Sequence, residues 1–152
     1  MTPSSPAIPA LLAASRTIAV VGLSANPERP SHEVARYMQA HGYRIIPVNP
    51  TYAGTHILGE HCHATLTKAA EVLREEGVLI DIVDCFRKSE AIPAVADEAI
   101  ALRVSCLWMQ QGVVNREAAG KAEAAGLMVV MDRCLKIEHQ RALLASDSHV
   151  PR

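Results

Sequence analysis

The chain has 152 residues, of which 49% are hydrophobic and 20% charged, so a disordered chain is excluded and a single domain with a real core is expected. Fifteen Lys/Arg against 16 Asp/Glu leave a formal charge of −1, which removes the electrostatic case for nucleic acid. No apolar run reaches the ~18–20 residues that cross a membrane, and the start, MTPSSPAIPALLAAS, lacks the basic region of a secretory signal.

In chain order, Ile8–Ala14 reads as a leading helix after loose residues 1–5. Thr17–Leu23 (TIAVVGL) is the first of five short, nearly unalternating apolar runs. The others are Tyr43–Val48 (YRIIPV), Val78–Phe86 (VLIDIVDCF), Val104–Met109 (VSCLWM) and Leu127–Met131 (LMVVM). Such runs suit strands buried on both faces of a parallel sheet.

Helical patterns fill the gaps. In Ser31–His41 the apolar positions Val34, Tyr37, Met38 and His41 share a face, and Gly42 stands at the stop. Leu66–Glu76 is a short helix. Ser89 is placed to cap a helix carrying Ile92, Val95, Ala96, Ala99 and Ile100. Asn115 is placed to cap Arg116–Ala125 before Gly126, and Leu135–Ala145 is the last helix before loose residues 146–152. Strand–helix alternation over five strands implies a doubly wound, mainly parallel α/β sheet with helices on both faces. Ligands of such sheets sit beyond the strands' carboxyl ends, near the point where strand order reverses.

The first of those ends is Gly22-Leu-Ser24-Ala-Asn26-Pro-Glu-Arg29-Pro-Ser31. Gly22 is expected to let a ligand approach the backbone, and free N–H groups of the next helix to hold phosphate oxygens. Ser24 and Ser31 add hydroxyls, and Arg29 a permanent positive charge. Neither GxGxxG nor GK[ST] occurs. At the second strand end a neutral Asn49 stands where NAD sites place a carboxylate, which favours coenzyme A (CoA) or NADP.

Cys62, Cys85, Cys106 and Cys134 are widely spaced, unlike a disulfide scaffold, and Cys85 and Cys106 read as buried thiols. Five aromatic residues do not make a stacking platform for single-stranded nucleic acid. His56, His61, Cys62 and His63 form a dense donor cluster, but consecutive residues of an extended chain point to opposite faces, so a solvated loop is expected rather than a metal site. Asp132-Arg133-Cys134 reads as structural, an internal ion pair that fixes the last helix.

IAVVGLSANPERPSHEVARYMQAHGYRIIPVNP resembles the small stand-alone CoA-binding proteins, whose fold is similar to the N-terminal domain of the succinyl-CoA synthetase alpha subunit. The resemblance continues through IDIVDCFRKSEAIP, LWMQQGVVNREAAGKAEAAGL and VVMDRCLKIEH, and covers nearly the whole chain. It implies a Rossmann-like fold over residues 1–152 and CoA or acyl-CoA bound across the strand ends. Carried over, it puts Gly22, Leu23, Ser24, Arg29 and Ser31 at the diphosphate and Asn49 and Pro50 by the adenosine end. Phe86 and Arg87 then line the pantetheine or phosphate region, and Gln110 and Gly112 close the far side.

The His-rich segment and the charged stretch Ala64–Gly77 depart from that pattern. The expected function is a cytoplasmic CoA-binding module, non-catalytic or dependent on a partner, with a homo-oligomer also admitted. The alternative is an NADP-dependent oxidoreductase, or a CoA-ligase-like subunit whose catalytic part is supplied in trans. A third reading is a redox sensor in which CoA is disulfide-bonded to Cys85 or Cys134.

Overall fold

The computed structural model describes residues 7–148. In order it contains α1 (Ala7–Ala14), β1 (Thr17–Val21), α2 (Pro30–Ala40), β2 (Arg44–Val48), β3 (His56–Ile57), β4 (Glu60–His61), α3 (Leu66–Glu75), β5 (Ile82–Cys85), α4 (Ile92–Leu102), β6 (Cys106–Met109), α5 (Arg116–Ala124), β7 (Met128–Val130) and α6 (Leu135–Ser148). The main sheet has the order β2-β1-β5-β6-β7, and every pairing in it is parallel. The order reverses between β1 and β5, so their carboxyl ends form the switch point.

The five apolar runs are these five strands, each shorter than its run. The run Val78–Phe86 overshoots most: Leu79 is 77% exposed and strand pairing starts only at Ile82. Alternate residues supply two cores. Ala19, Val83 and Leu107 pack under α3, α4 and α5, while Ile18, Val20, Ile82 and Trp108 pack under α1, α2 and α6. Each fully buried aliphatic side chain contributes about 1.5–3 kcal/mol. Asp84 is the exception, fully buried with both carboxyl oxygens unpartnered. Burial pushes its carboxyl well above the ordinary range, because the charged form is penalised away from water.

Asn115 caps α5 as expected, accepting from Ala118 N–H at 2.9 Å. Ser89 does not cap α4. It opens a 3-10 turn, Ser89–Ala91, its hydroxyl donates to the Val114 carbonyl, and Asn115 Nδ2 donates back to the Ser89 carbonyl. The serine therefore ties the β5 exit to the β6 exit instead of starting a helix. The expected loose ends, 1–5 and 146–152, lie outside the described residues, except that 146–148 continue α6. The β3–β4 hairpin has no apolar run and was not expected. It extends the β2 edge, with Val48 bridged in parallel to His63.

Candidate functional site

Gly22 leaves β1 with φ +93°, and its N–H donates to the Val48 carbonyl at 2.8 Å. A Cβ here would lie 2.2 Å from the Phe86 carbonyl oxygen and 3.0 Å from Arg87 Cδ. The glycine is thus required by the exit of β5, which crosses it, whatever approaches from the cavity side. The following loop is set by its own hydrogen bonds. Ser24 N–H donates to Ser31 Oγ, Asn26 N–H to Ser24 Oγ and Glu28 N–H to Asn26 Oδ1, each at 3.0 Å.

The expected row of free helix N–H groups is much reduced. Pro30 at the first turn of α2 has none, and His32 and Glu33 N–H both donate to the Arg29 carbonyl at 3.1 Å. Three kinds of donor remain for an anion. These are the Ser31 N–H, the hydroxyl hydrogens of Ser24 and Ser31, and the exposed Arg29 guanidinium, which makes no ion pair among the described residues. They face a cavity of about 440 Å³ that Gly22, Ser24, Arg29, Ser31, Asn49 and Phe86 line together, with no carboxylate.

Asn26, Pro30, Thr51 and Tyr52 complete that lining and were not singled out from the sequence. Thr51 and Tyr52 follow Asn49 in a 3-10 turn, Pro50–Tyr52, and the only signal was the Asn-Pro pair ahead of them. Asn49 is at the cavity, yet its amide is engaged: Nδ2 donates to the Leu23 carbonyl and Oδ1 accepts from Thr51 N–H, both at 3.0 Å. It clamps the β1 exit to the β2 exit. Pro50 is exposed and does not line the cavity. The Leu23 side chain is fully buried, and only its backbone takes part.

Phe86 also lines a second cavity, of about 670 Å³, and so does Pro30, so the two cavities are neighbours with this pair between them. Gln110 is in its wall, 3% exposed, with Oε1 accepting from Leu135 N–H at 2.9 Å at the start of α6. Arg87 is exposed, with its stem against Gly22 and no ion pair among the described residues. Gly112 lines neither cavity; its N–H donates to Asp132 Oδ1 at 2.7 Å. The internal ion pair at the last helix joins Arg133 to Glu138 at 3.6 Å, with Asp132 engaged elsewhere. Cys134, just before α6, and Lys136, Ile137 and Gln140 of α6 also line the second cavity, and of these only Cys134 was singled out from the sequence.

Three cysteines, Cys62, Cys85 and Cys106, are fully buried, and burial pushes each thiol up, furthest for Cys85 and Cys106. Cys85 is thereby sealed away from CoA, and only Cys134 is half-buried. In the His-rich segment, His56 and His61 are cross-strand partners with ring centroids 5.6 Å apart, and His63 lies 4.7 Å from His61. Cys62 points inward, its Sγ donating to the Asn49 carbonyl at 3.5 Å. Among the described residues no group of three or more His, Cys, Asp or Glu is arranged to hold a metal ion. Burial and the neighbouring His61 hold His63 below its ordinary pKa. A third cavity, about 490 Å³, lies here between the hairpin and α3, with Arg44 in its wall.

A family model described as CoA binding domain matches residues 16–140, from just before β1 to the middle of α6, and so takes in both cavities at the strand ends. The chain belongs to this family. Among relatives of this CoA binding domain protein, the uncharacterized protein YneT of Bacillus subtilis is 44% identical over 137 residues, 90% of this chain and 95% of that one. A solved Thermus thermophilus structure superposes with a TM-score of 0.82 at 36% identity, covering 92% of this chain and 99% of the other. A hypothetical protein from Pyrococcus horikoshii OT3 gives 0.82 at 34%, with 93% of each chain covered. This chain therefore shares its Rossmann-like fold with both solved structures. Among the described residues no helix is long and apolar enough to cross a membrane.

Proposed function

We propose that the chain binds coenzyme A or an acyl-CoA along the carboxyl edge of the sheet, as a non-catalytic or partner-dependent module. The observation that carries this reading is Arg29, without an ion pair among the described residues, in a carboxylate-free crevice beside two hydroxyls, next to the switch point of the sheet. A carboxylate for ribose hydroxyls is absent from that lining, so a phosphorylated ribose meets no like charge. Membership of the CoA binding domain family supports CoA as the anion.

The residues present fit such a ligand. Arg29 and Arg87, which make no ion pair among the described residues, offer guanidinium groups to phosphates, and the buried Gln110 offers an amide nitrogen to the amide-rich arm. When bound, CoA supplies a thiol that carries acyl groups as thioesters. The lining of the first cavity holds no histidine and no carboxylate, the commonest general acids and bases, which supports a non-catalytic or partner-dependent role.

Each charge-assisted bond is worth about 1.5–3 kcal/mol. Two or three of them, less the ordering costs, give roughly micromolar affinity and an exchangeable ligand. Thermal unfolding tests the choice of ligand. Free CoA at a hundred times Kd stabilises the fold by about 2.7 kcal/mol, and the Tm rises accordingly. A larger rise with NADPH than with CoA, or none with millimolar CoA, overturns the reading.

A further inference from the structure

The second cavity gives the thiol end of the ligand a covalent partner. Resting on the CoA reading above, we propose that Cys134 exchanges with CoA disulfides to form a mixed disulfide, so that the bound carrier is held through its sulfur. Several observations meet at this place. Cys134 is the one cysteine of the four that is not sealed in the core, and it lines the 670 Å³ cavity. That cavity neighbours the Arg29 crevice, with Pro30 and Phe86 lining both, so a ligand anchored by its phosphates at Arg29 has its far end directed towards the thiol.

Gln110 supplies an independent sign of a ligand. Its side chain is 97% buried in the cavity wall, and its carbonyl oxygen is committed to Leu135 N–H, which fixes the amide. Its amide nitrogen donates to no described residue and is open to the cavity rather than sealed in the core. Two N–H donors are thus held ready at the cavity that also contains the thiol. They suit a carbonyl of the pantetheine arm. The Lys136–Glu33 pair at 3.7 Å, both residues lining the same cavity, leaves no free charge of theirs to repel an uncharged arm.

The step balances without a further oxidant. Cys134 loses its proton, and the thiolate attacks one sulfur of CoA–S–S–CoA. The S–S bond of the CoA disulfide breaks and the Cys134–S–S–CoA bond forms. The second CoA leaves as a thiolate and takes up a proton. Excess small thiol reverses the exchange and regenerates Cys134.

The test uses the full chain, CoA disulfide, and hydroxyethyl disulfide as a probe lacking phosphates. Intact-mass spectrometry follows the adduct, and peptide mapping of the wild-type protein locates it, so no folding variant is needed to assign the residue. The expected result is one CoA per chain, on Cys134, removed by reductant and formed at least tenfold faster than the hydroxyethyl adduct. Arg29→Glu is expected to reduce that preference to near unity.

Two results overturn the inference while leaving the parent reading intact. One is measurable CoA binding with no adduct on Cys134. The other is an adduct that forms as fast with hydroxyethyl disulfide and is indifferent to Arg29→Glu. If calorimetry finds no CoA binding to the wild type, both readings fail together.

Discussion

The two ends of β2 each carry a cavity and an arginine, and the two arginines are treated in opposite ways. At the amino end, Arg44 is gripped by the chain itself. Its Nε and Nη2 meet both Glu60 oxygens at 2.9 and 3.2 Å, and its Nη1 meets Glu76 at 2.9 Å. Those bonds raise its pKa and neutralise the wall of the third cavity. At the carboxyl end, Arg29 has no such partner among the described residues and shares its crevice with hydroxyls and no carboxylate. A cavity alone therefore does not indicate a ligand site. The unsatisfied charge distinguishes them, because a fold that supplies its own counterion has no electrostatic need of a bound one.

The largest expected effect separates the two cavities through their glycines. Gly22→Ala drives a Cβ to 2.2 Å from the Phe86 carbonyl at φ +93°, and should lower stability by more than about 4 kcal/mol in urea denaturation. Gly54 lines the third cavity at φ +89°, but nothing lies within 4 Å of its added Cβ. Gly54→Ala should therefore cost only the left-handed strain, about 1–2 kcal/mol. Equal losses would mean that the two strand ends are not differently built.

Next in size is ligand affinity. Arg29→Glu replaces attraction by repulsion and should weaken CoA binding by about a hundredfold or more, roughly 2.8 kcal/mol. Arg44→Gln should leave it within about twofold in the same titration. Arg44→Gln should act on stability instead. Its partners are partly exposed, so about 1 kcal/mol is expected, a fall in Tm of about 2–4 °C by differential scanning calorimetry.

The smallest effect is on pH dependence. Burial holds the folded His63 pKa below the unfolded value of about 6.5. As pH falls through that value the unfolded chain takes up a proton first, so this share of stability is full above it and is lost towards the folded pKa. His63→Gln should flatten the acid limb of the Tm–pH profile. Part of the slope should persist, since burial also depresses His32 and His139.

The same contrast explains what could be read from the sequence. The sheet was legible because its strands are buried on both faces, and runs such as IAVV and CLWM are then apolar throughout. Their limits were not, because Val78–Ile80 is apolar without pairing. Gly22, Ser24, Arg29, Ser31, Asn49 and Phe86 line one crevice, since strand ends in such sheets converge. The reasons were less legible. Gly22 answers to the Phe86 carbonyl and Asn49 to Leu23 and Thr51, contacts made across strands that local spacing does not encode. The Arg44 pairs join β2 to the hairpin and to α3, and Cys134 reaches its cavity only through the docking of α6. Long-range placement of single polar side chains leaves no periodic trace.

Isothermal titration of CoA into the wild-type chain and into Arg29→Glu, side by side, tests the central claim most directly. The account predicts a saturable, roughly micromolar isotherm for the wild type and its collapse in the variant. Identical isotherms for the two proteins, or no heat beyond dilution for the wild type at millimolar CoA, would contradict it.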